Sequence, residues 1–144
     1  MAKVSIKAPW AVVFFQRHLA DDRKQTVPGV VYLNECPDTV EREMFAILTA
    51  VAAGPPPSFH NPTVWKPMHK PMNGWFEARK KNEKDLYRLF CLLEREAAGL
   101  PGPSVVVIVG MTKENESAFS DLDYAQVRRL GEEYKKRTPR SILR

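Results

Sequence analysis

The sequence reads Lys66-Pro-Met-His-Lys-Pro-Met-Asn-Gly-Trp-Phe-Glu-Ala-Arg79 and, after a polar turn, Leu86-Tyr-Arg-Leu-Phe-Cys-Leu-Leu93. This stretch predicts a β-hairpin, because side chains alternate between the two faces of a strand. Glu77 and Arg79 then share one face of the first arm, and Arg88 interrupts an apolar face of the second arm. Burying unpaired charges is costly. We therefore expect these side chains to line an exposed surface or a functional site.

The elements before the hairpin begin with the apolar run from Trp10 to Phe15, whose β-branched and aromatic residues predict a buried strand. Residues 28 to 33 fit a short helix opened by Pro28 or, equally well, a strand. Asp38 with Glu41 resembles a helix capping box, and the apolar residues that follow recur at helical spacing. The sequence therefore predicts an amphipathic helix over residues 39 to 53, followed by a proline-rich loop.

The elements after the hairpin begin with the unbroken apolar run from Val105 to Val109, which predicts a central strand with a polar exit from Gly110 onward. Ser120 with Asp123 forms a second capping signature, which opens a helix predicted to reach residue 137. Three consecutive strands joined by loops too short for a crossover helix must be antiparallel neighbours.

This element order predicts an α+β fold, in which helices pack on one face of a mostly antiparallel sheet of about four strands. The length of 144 residues suits one domain. We assign that domain to residues 1–144, with residues 1–9 and 138–144 expected to be flexible ends.

Composition points to a protein with an anionic partner. Lys and Arg number 22 against 17 Asp and Glu, a formal net charge of +5, which favours nucleic acid or an acidic protein as partner. Cys36 and Cys91 form no CxxC pair and are expected to be reduced thiols. The apolar runs are too short for a signal peptide or a membrane span, so we expect a cytoplasmic protein without membrane contact. His18 and His60 lack ligand-spaced companions, and no metal or cofactor is expected.

The hairpin and its flanks carry a resemblance to a known family. The relevant segments are Met72-Asn-Gly-Trp-Phe-Glu-Ala-Arg, Tyr87-Arg-Leu-Phe and Val107-Ile-Val-Gly-Met-Thr-Lys, followed by a basic helix. In their order and spacing, over roughly residues 38 to 137, they resemble the RelE/HigB group of bacterial toxins, particularly the phage-derived HigB-like branch. One departure is that Lys113 is followed by Glu114, where members of this branch often carry two adjacent basic residues.

The resemblance implies a compact RelE-like domain that acts as the toxin of a toxin–antitoxin system. It implies an endoribonuclease (mRNA interferase) that cleaves messenger RNA, usually on the ribosome. It also implies a cognate antitoxin that covers the active face. We expect this antitoxin to be a helix-turn-helix protein, so that DNA would be contacted only through it.

RNA cleavage without a metal places definite demands on side chains, because the 2′-hydroxyl of RNA is itself the nucleophile. The reaction requires a base, an acid for the leaving 5′-oxygen, and cations for the charge on the phosphorane. Arg88 is the first candidate for the cation and matches the family's arginine in the tyrosine-arginine strand. Arg79 and Lys113 are expected to add positive charge. Glu77 is a candidate base.

Other residues of the hairpin region are candidates for catalysis or for RNA contact. His69 is a rival base or acid, because imidazole titrates near neutral pH and Lys66 and Lys70 flank it. Side chains assigned to RNA contact are basic or aromatic: Lys66, Lys70, Trp75, Lys84 and Tyr87. The same residues also fit structural roles. The aromatic rings can belong to the core, Glu77 can form an ion pair with no chemistry, and His69 and Lys84 can be solvated.

Two other functions fit the same pattern. One is a non-catalytic toxin like the ParE branch, which poisons DNA gyrase by binding it. The other is a small RNA-binding module without toxicity. The joint occurrence of Glu77, Arg79, Arg88 and Lys113 favours the ribonuclease, since a protein that only binds gyrase does not need this set of charges.

Overall fold

The predicted hairpin forms the centre of a five-stranded sheet, whose strand order is β1-β5-β4-β3-β2. The computed structural model describes residues 9–55, 58–116 and 118–144. The elements, in chain order, are β1 (Ala11–Phe14), α1 (Pro28–Glu35), α2 (Asp38–Ala53), β2 (Trp65–Pro67), β3 (Trp75–Asn82), β4 (Asp85–Glu94), β5 (Ser104–Lys113), a 3₁₀ turn (Glu114–Glu116) and α3 (Asp121–Lys135). β1 pairs with β5 in parallel, and every other pairing is antiparallel. The α+β class is confirmed, with one strand more than expected.

The helices lie on both faces of this sheet, whereas the sequence had suggested one face. Leu33 of α1 and Met44 of α2 pack in one cluster with Val107. Val127 and Tyr134 of α3 belong to a second cluster, on the opposite face. The physical reason is the apolar run of β5, because a strand that is apolar on both faces must be covered on both.

Two strands differ in extent from the prediction. β2 was missed, because it spans only three residues and ends in Pro67, and proline is rare inside sheets. It is anchored by Trp65, whose ring stacks on Phe76 at a centroid distance of 5.4 Å. β5 continues through the expected polar exit, because residues up to Lys113 remain paired with β4. At Gly110 a side chain would not fit, since its Cβ would lie 2.1 Å from the Tyr32 ring.

The amphipathic helix predicted over residues 39 to 53 is confirmed as α2, Asp38–Ala53, although only one of the two predicted capping boxes forms. α1 begins at Pro28, which confirms the helical alternative for that segment. The α3 capping box is confirmed: the Asp123 N–H donates to Ser120 Oγ at 3.1 Å, and the Ser120 N–H donates to Asp123 Oδ2 at 2.8 Å. The box predicted at Asp38 is wrong, because the N-cap of α2 is Pro37 and makes no side-chain hydrogen bond.

The C-terminal residues pack on the sheet, although we expected 138–144 to be flexible. Ile142 is 5% exposed and bridges to Phe15, and the Leu143 N–H donates to the Phe14 carbonyl at 2.8 Å. Arg140 Nε donates to Glu94 Oε1 at 3.1 Å. The tail thus covers the outer edge of β1. The expectation for residues 1–8 lies outside the described residues, as does the part of the proline-rich loop at 56–57.

Within the described ranges, none of the helices combines the length and apolar composition that crossing a membrane requires. Cys36 and Cys91 are free thiols, and Cys91 is buried in β4.

Candidate functional site

Two arginines face each other across the central hairpin. Arg79 of β3 and Arg88 of β4 are direct partners in the strand register. Like charges placed opposite each other in a sheet are unfavourable unless an opposite charge compensates them. Glu77 supplies that charge: its Oε1 lies 3.3 Å from Arg79 Nε and 3.7 Å from Arg88 Nε. One carboxylate between two guanidinium groups leaves an excess of one positive charge.

Two of the three side chains in this Arg79–Glu77–Arg88 cluster are largely withdrawn from solvent, whereas the Arg79 side chain is 28% exposed. Glu77 is 8% exposed and Arg88 is 7% exposed, and Arg88 Nη1 donates to the Tyr87 carbonyl at 3.1 Å. Arg79 Nε is buried and makes no hydrogen bond, although it is close enough to Glu77 to form an ion pair. The guanidinium of Arg79 therefore keeps a donor that is not satisfied within the protein.

Burial changes the acid–base properties of both charge types. It raises the pKa of the Glu77 carboxyl, an effect opposed by the positive charges of Arg88, Arg79 and Lys66. Burial also lowers the pKa of Arg88, and the neighbouring Arg79 adds to this lowering while Glu77 opposes it. An arginine remains charged at neutral pH in proteins. Glu77 is thus a better proton acceptor than an exposed glutamate, next to cations that hold their charge.

Two open cavities adjoin the cluster. The larger, of about 610 Å³, lies at the start of β2, next to residues 62–64, and Arg79 and Arg88 line it together with Leu86. The smaller, of about 220 Å³, is lined by Glu77 and Tyr124. The cluster therefore contributes its two arginines to the lining of one cavity and its carboxylate to the lining of the other.

The structure brings most of the predicted catalytic and basic residues to this place. Arg88, Glu77 and Arg79 are in contact, as described above. Lys66 stands opposite Glu77 in the pairing of β2 with β3. His69, Lys66 and Lys70 are exposed and line the smaller cavity. The turn that carries His69 is closed by the Met72 N–H, which donates to the His69 carbonyl at 2.7 Å.

Lys113 lies on the same face of the sheet but is not in contact with the cluster. It stands opposite Leu86 in the pairing of β4 with β5. Its Nζ is 3.0 Å from Asp123 Oδ2 and 5.7 Å from the centroid of the Phe119 ring. The positive charge of Lys113, which was predicted to support the arginines, is therefore paired with Asp123 at the start of α3.

Three residues assigned to RNA contact lie elsewhere. Trp75 is 7% exposed and packs beneath α3, where a Cβ at Gly131 would be 2.3 Å from its ring. Tyr87 is 8% exposed and belongs to the core on the opposite face. Neither ring has an exposed face on which an RNA base could stack. Both residues therefore have the core role that was the alternative expectation. Lys84 is exposed in the turn between β3 and β4.

Tyr124 was not among the predicted site residues, although it lines the smaller cavity with Glu77. Burial raises the pKa of its phenol, Glu77 adds to this effect, and Arg88 opposes it. The phenol is therefore protonated at neutral pH and can donate a proton. A signal for it existed: Tyr124 precedes Val127 by three residues, so both fall on the helix face directed at the sheet.

No group of three or more His, Cys, Asp or Glu side chains in the described ranges is arranged to hold a metal ion.

The comparisons with protein-family models, curated proteins and solved structures return no match for this sequence. The class that the fold and the site define is an α+β protein with a half-buried, net positive charge cluster beside two open cavities.

Proposed function

We propose that this chain is the toxin of a type II toxin–antitoxin system and cleaves messenger RNA, on the ribosome, without a metal. The observation that carries the proposal is the pair of opposed arginines that shares one buried carboxylate. An RNA phosphate bound there would relieve the repulsion between Arg79 and Arg88, because it supplies the negative charge that the cluster lacks. The toxin assignment rests on the ordered motifs of the RelE/HigB group.

The proposed reaction begins with the 2′-hydroxyl of the nucleotide on the 5′ side of the phosphate. Glu77 accepts its proton, and the 2′-oxygen attacks phosphorus. Arg88 and Arg79 stabilise the additional negative charge on the phosphorane oxygens. The bond to the 5′-oxygen then breaks, which yields a 2′,3′-cyclic phosphate and a 5′-hydroxyl. His69 and Tyr124, which line the smaller cavity with Glu77, are the candidates for protonating the leaving oxygen, and His69 also remains a rival base.

The proposed antitoxin is a helix-turn-helix protein that covers the basic face. Its negative side chains would occupy the cavity lined by Arg79 and Arg88 and so exclude RNA. A structure of the complex tests this mechanism of neutralisation. If the cavity remains open in a complex that is nevertheless inactive, direct masking is not how the antitoxin acts.

The central test is expression of the wild-type protein and of Arg88→Ala, followed by mapping of messenger RNA ends. We expect the wild type to arrest growth and to generate new ends, and the variant to lose cleavage by roughly a hundredfold or more, the usual cost of removing one preorganised charge-stabilising group. Arg129→Ala is the matched control, because it removes an exposed arginine of α3 and should leave cleavage unchanged.

Two further measurements decide between this proposal and its competitors. Arg88→Lys keeps the positive charge but loses the bidentate contact with the phosphate. Weakened cleavage by a folded Arg88→Lys variant would therefore show that Arg88 acts in the reaction and not only in stability. A 2′,3′-cyclic phosphate at the new messenger RNA ends supports attack by the 2′-hydroxyl, whereas attack by a metal-activated water would leave a linear phosphate. Intact transcripts in arrested cells, together with inhibition of gyrase supercoiling, would instead establish the ParE-like function. Intact transcripts with normal growth would favour an RNA-binding module without toxicity.

A further inference from the structure

Asp123 links the start of α3 to the basic face of the sheet. Its Oδ2 accepts the Ser120 N–H at 2.8 Å and lies 3.0 Å from Lys113 Nζ. The same oxygen thus caps the helix and pairs with a lysine of β5. Both side chains keep partial contact with solvent, with exposures of 29% for Lys113 and 22% for Asp123. The ion pair is therefore not sealed in the core.

The paired lysine stands next to the arginine cluster. In the β4–β5 register, Lys113 is opposite Leu86 and Arg88 is opposite Met111. Residues related in this diagonal way share a face and have backbones about 7–8 Å apart, within reach of long side chains. An RNA strand with one phosphate at Arg88 can therefore bring a neighbouring phosphate within reach of Lys113.

We propose that Asp123 is a positioning residue that competes with RNA for Lys113 and thereby sets the affinity of the site for single-stranded RNA. This inference rests on the proposed function and adds a regulatory contact to it. In the free protein the carboxylate cancels the charge of Lys113 and repels an approaching phosphate. A partly exposed ion pair contributes little to stability, so a phosphate can replace the carboxylate at small cost.

The competition is tested with Asp123→Asn, using a 2′-O-methyl RNA oligonucleotide that cannot be cleaved. The Asn carbonyl still accepts the Ser120 N–H, so the helix start is kept. We expect about two- to fivefold tighter binding at low salt, the range given by a partly exposed ion pair. Because Lys113 then contacts a phosphate in a larger fraction of the complexes, the slope of log affinity against log salt should also become steeper, by up to about 0.7.

Asp121→Asn is the matched control. It removes the same charge from the same helical turn, and the Asp121 side chain is exposed. A change in overall charge alone would affect both variants alike. Equal gains in affinity and equal salt slopes for Asp121→Asn and Asp123→Asn would therefore overturn the proposal.

The double variant Lys113→Gln with Asp123→Asn provides a second, independent test of the proposal. In the Lys113→Gln background there is no ammonium to release, so Asp123→Asn should tighten binding no more than the control Asp121→Asn does. If the full gain persists in that background, Asp123 acts through something other than Lys113, and the inference is wrong. Because the oligonucleotide cannot be cut, loss of cleavage activity and loss of this coupling are separate outcomes, and either can fail alone.

Discussion

Glu77 combines a structural role, the compensation of two arginines, with a candidate chemical role as a base. It compensates two arginines that the strand register places face to face, and it lines the smaller cavity. Burying a carboxylate costs free energy, and the positive charges around it recover only part of that cost, as its raised pKa shows. If Glu77 and its two arginine partners served stability alone, apolar side chains of similar volume would stabilise the fold at least as well. The arrangement is easier to understand if the net charge is kept for binding an anion.

The raised pKa of Glu77 has a consequence for stability that can be measured. Between the ordinary glutamate pKa of 4.5 and the raised folded-state pKa, the folded protein holds this proton more tightly than the unfolded chain. The contribution of Glu77 to the free energy of unfolding is therefore largest at low pH and decreases as the pH rises through that window.

The check is urea unfolding of the wild type and Glu77→Gln from pH 4 to pH 8. We expect the stability of the wild type, relative to the variant, to fall as the pH rises. Glu43→Gln removes an exposed carboxylate that pairs with Lys80 at 3.2 Å, and it controls for the loss of a negative charge. A relative stability that rises with pH would show that the arginines outweigh burial at Glu77.

At the scale of elements, the β3–β4 hairpin holds the arginines and α3 closes the face that carries them. The sequence predicted the hairpin, the face shared by Glu77 and Arg79, and the capped start of α3. It could not predict that α3 packs on this particular face, because an amphipathic pattern shows which side of a helix is buried and not against what. Tyr124 was overlooked for this reason.

The close approach of α3 to the sheet depends on Gly131. A Cβ at this position would lie 2.3 Å from Trp75 Cζ2, so Gly131→Ala must displace the ring or the helix. We expect a loss of about 1–3 kcal/mol in the free energy of unfolding, the usual cost of overpacking. Denaturant titration measures it.

Gly54→Ala is the control for this change, because Gly54 ends α2 and the nearest atom to a Cβ there is the Ala50 carbonyl oxygen, 3.9 Å away. It should alter stability by less than about 1 kcal/mol. If both variants are equally stable, α3 is not packed as closely on Trp75 as the structure describes.

At the scale of the whole molecule, the first strand and the last residues meet. β1 lies at the edge of the sheet, and its outer side is covered by the bridge between Phe15 and Ile142. The sequence suggested a flexible tail, because a basic and proline-containing end resembles a disordered one. Ile142 is the exception within that tail, and its partner Phe15 is far away in the chain.

Two neighbouring substitutions test whether the C-terminal residues contribute to the core. Ile142→Ala removes a buried side chain and should cost about 2–4 kcal/mol in the free energy of unfolding. Leu143 is 46% exposed, so Leu143→Ala should change stability by less than about 0.5 kcal/mol while its N–H bond to Phe14 remains. Two equally small effects would mean that the tail does not contribute to the core.

Local sequence patterns were sufficient to predict the α+β class, the antiparallel order of β3, β4 and β5, and the shared face of Glu77 and Arg79. Alternation along a strand and the shortness of the loops are sufficient for these. Three-dimensional packing was needed to show that Arg79 faces Arg88, that Trp75 and Tyr87 are buried, and that Asp123 pairs with Lys113. These depend on strand register and on which helix covers which face, and both are set by the packing of residues distant in sequence.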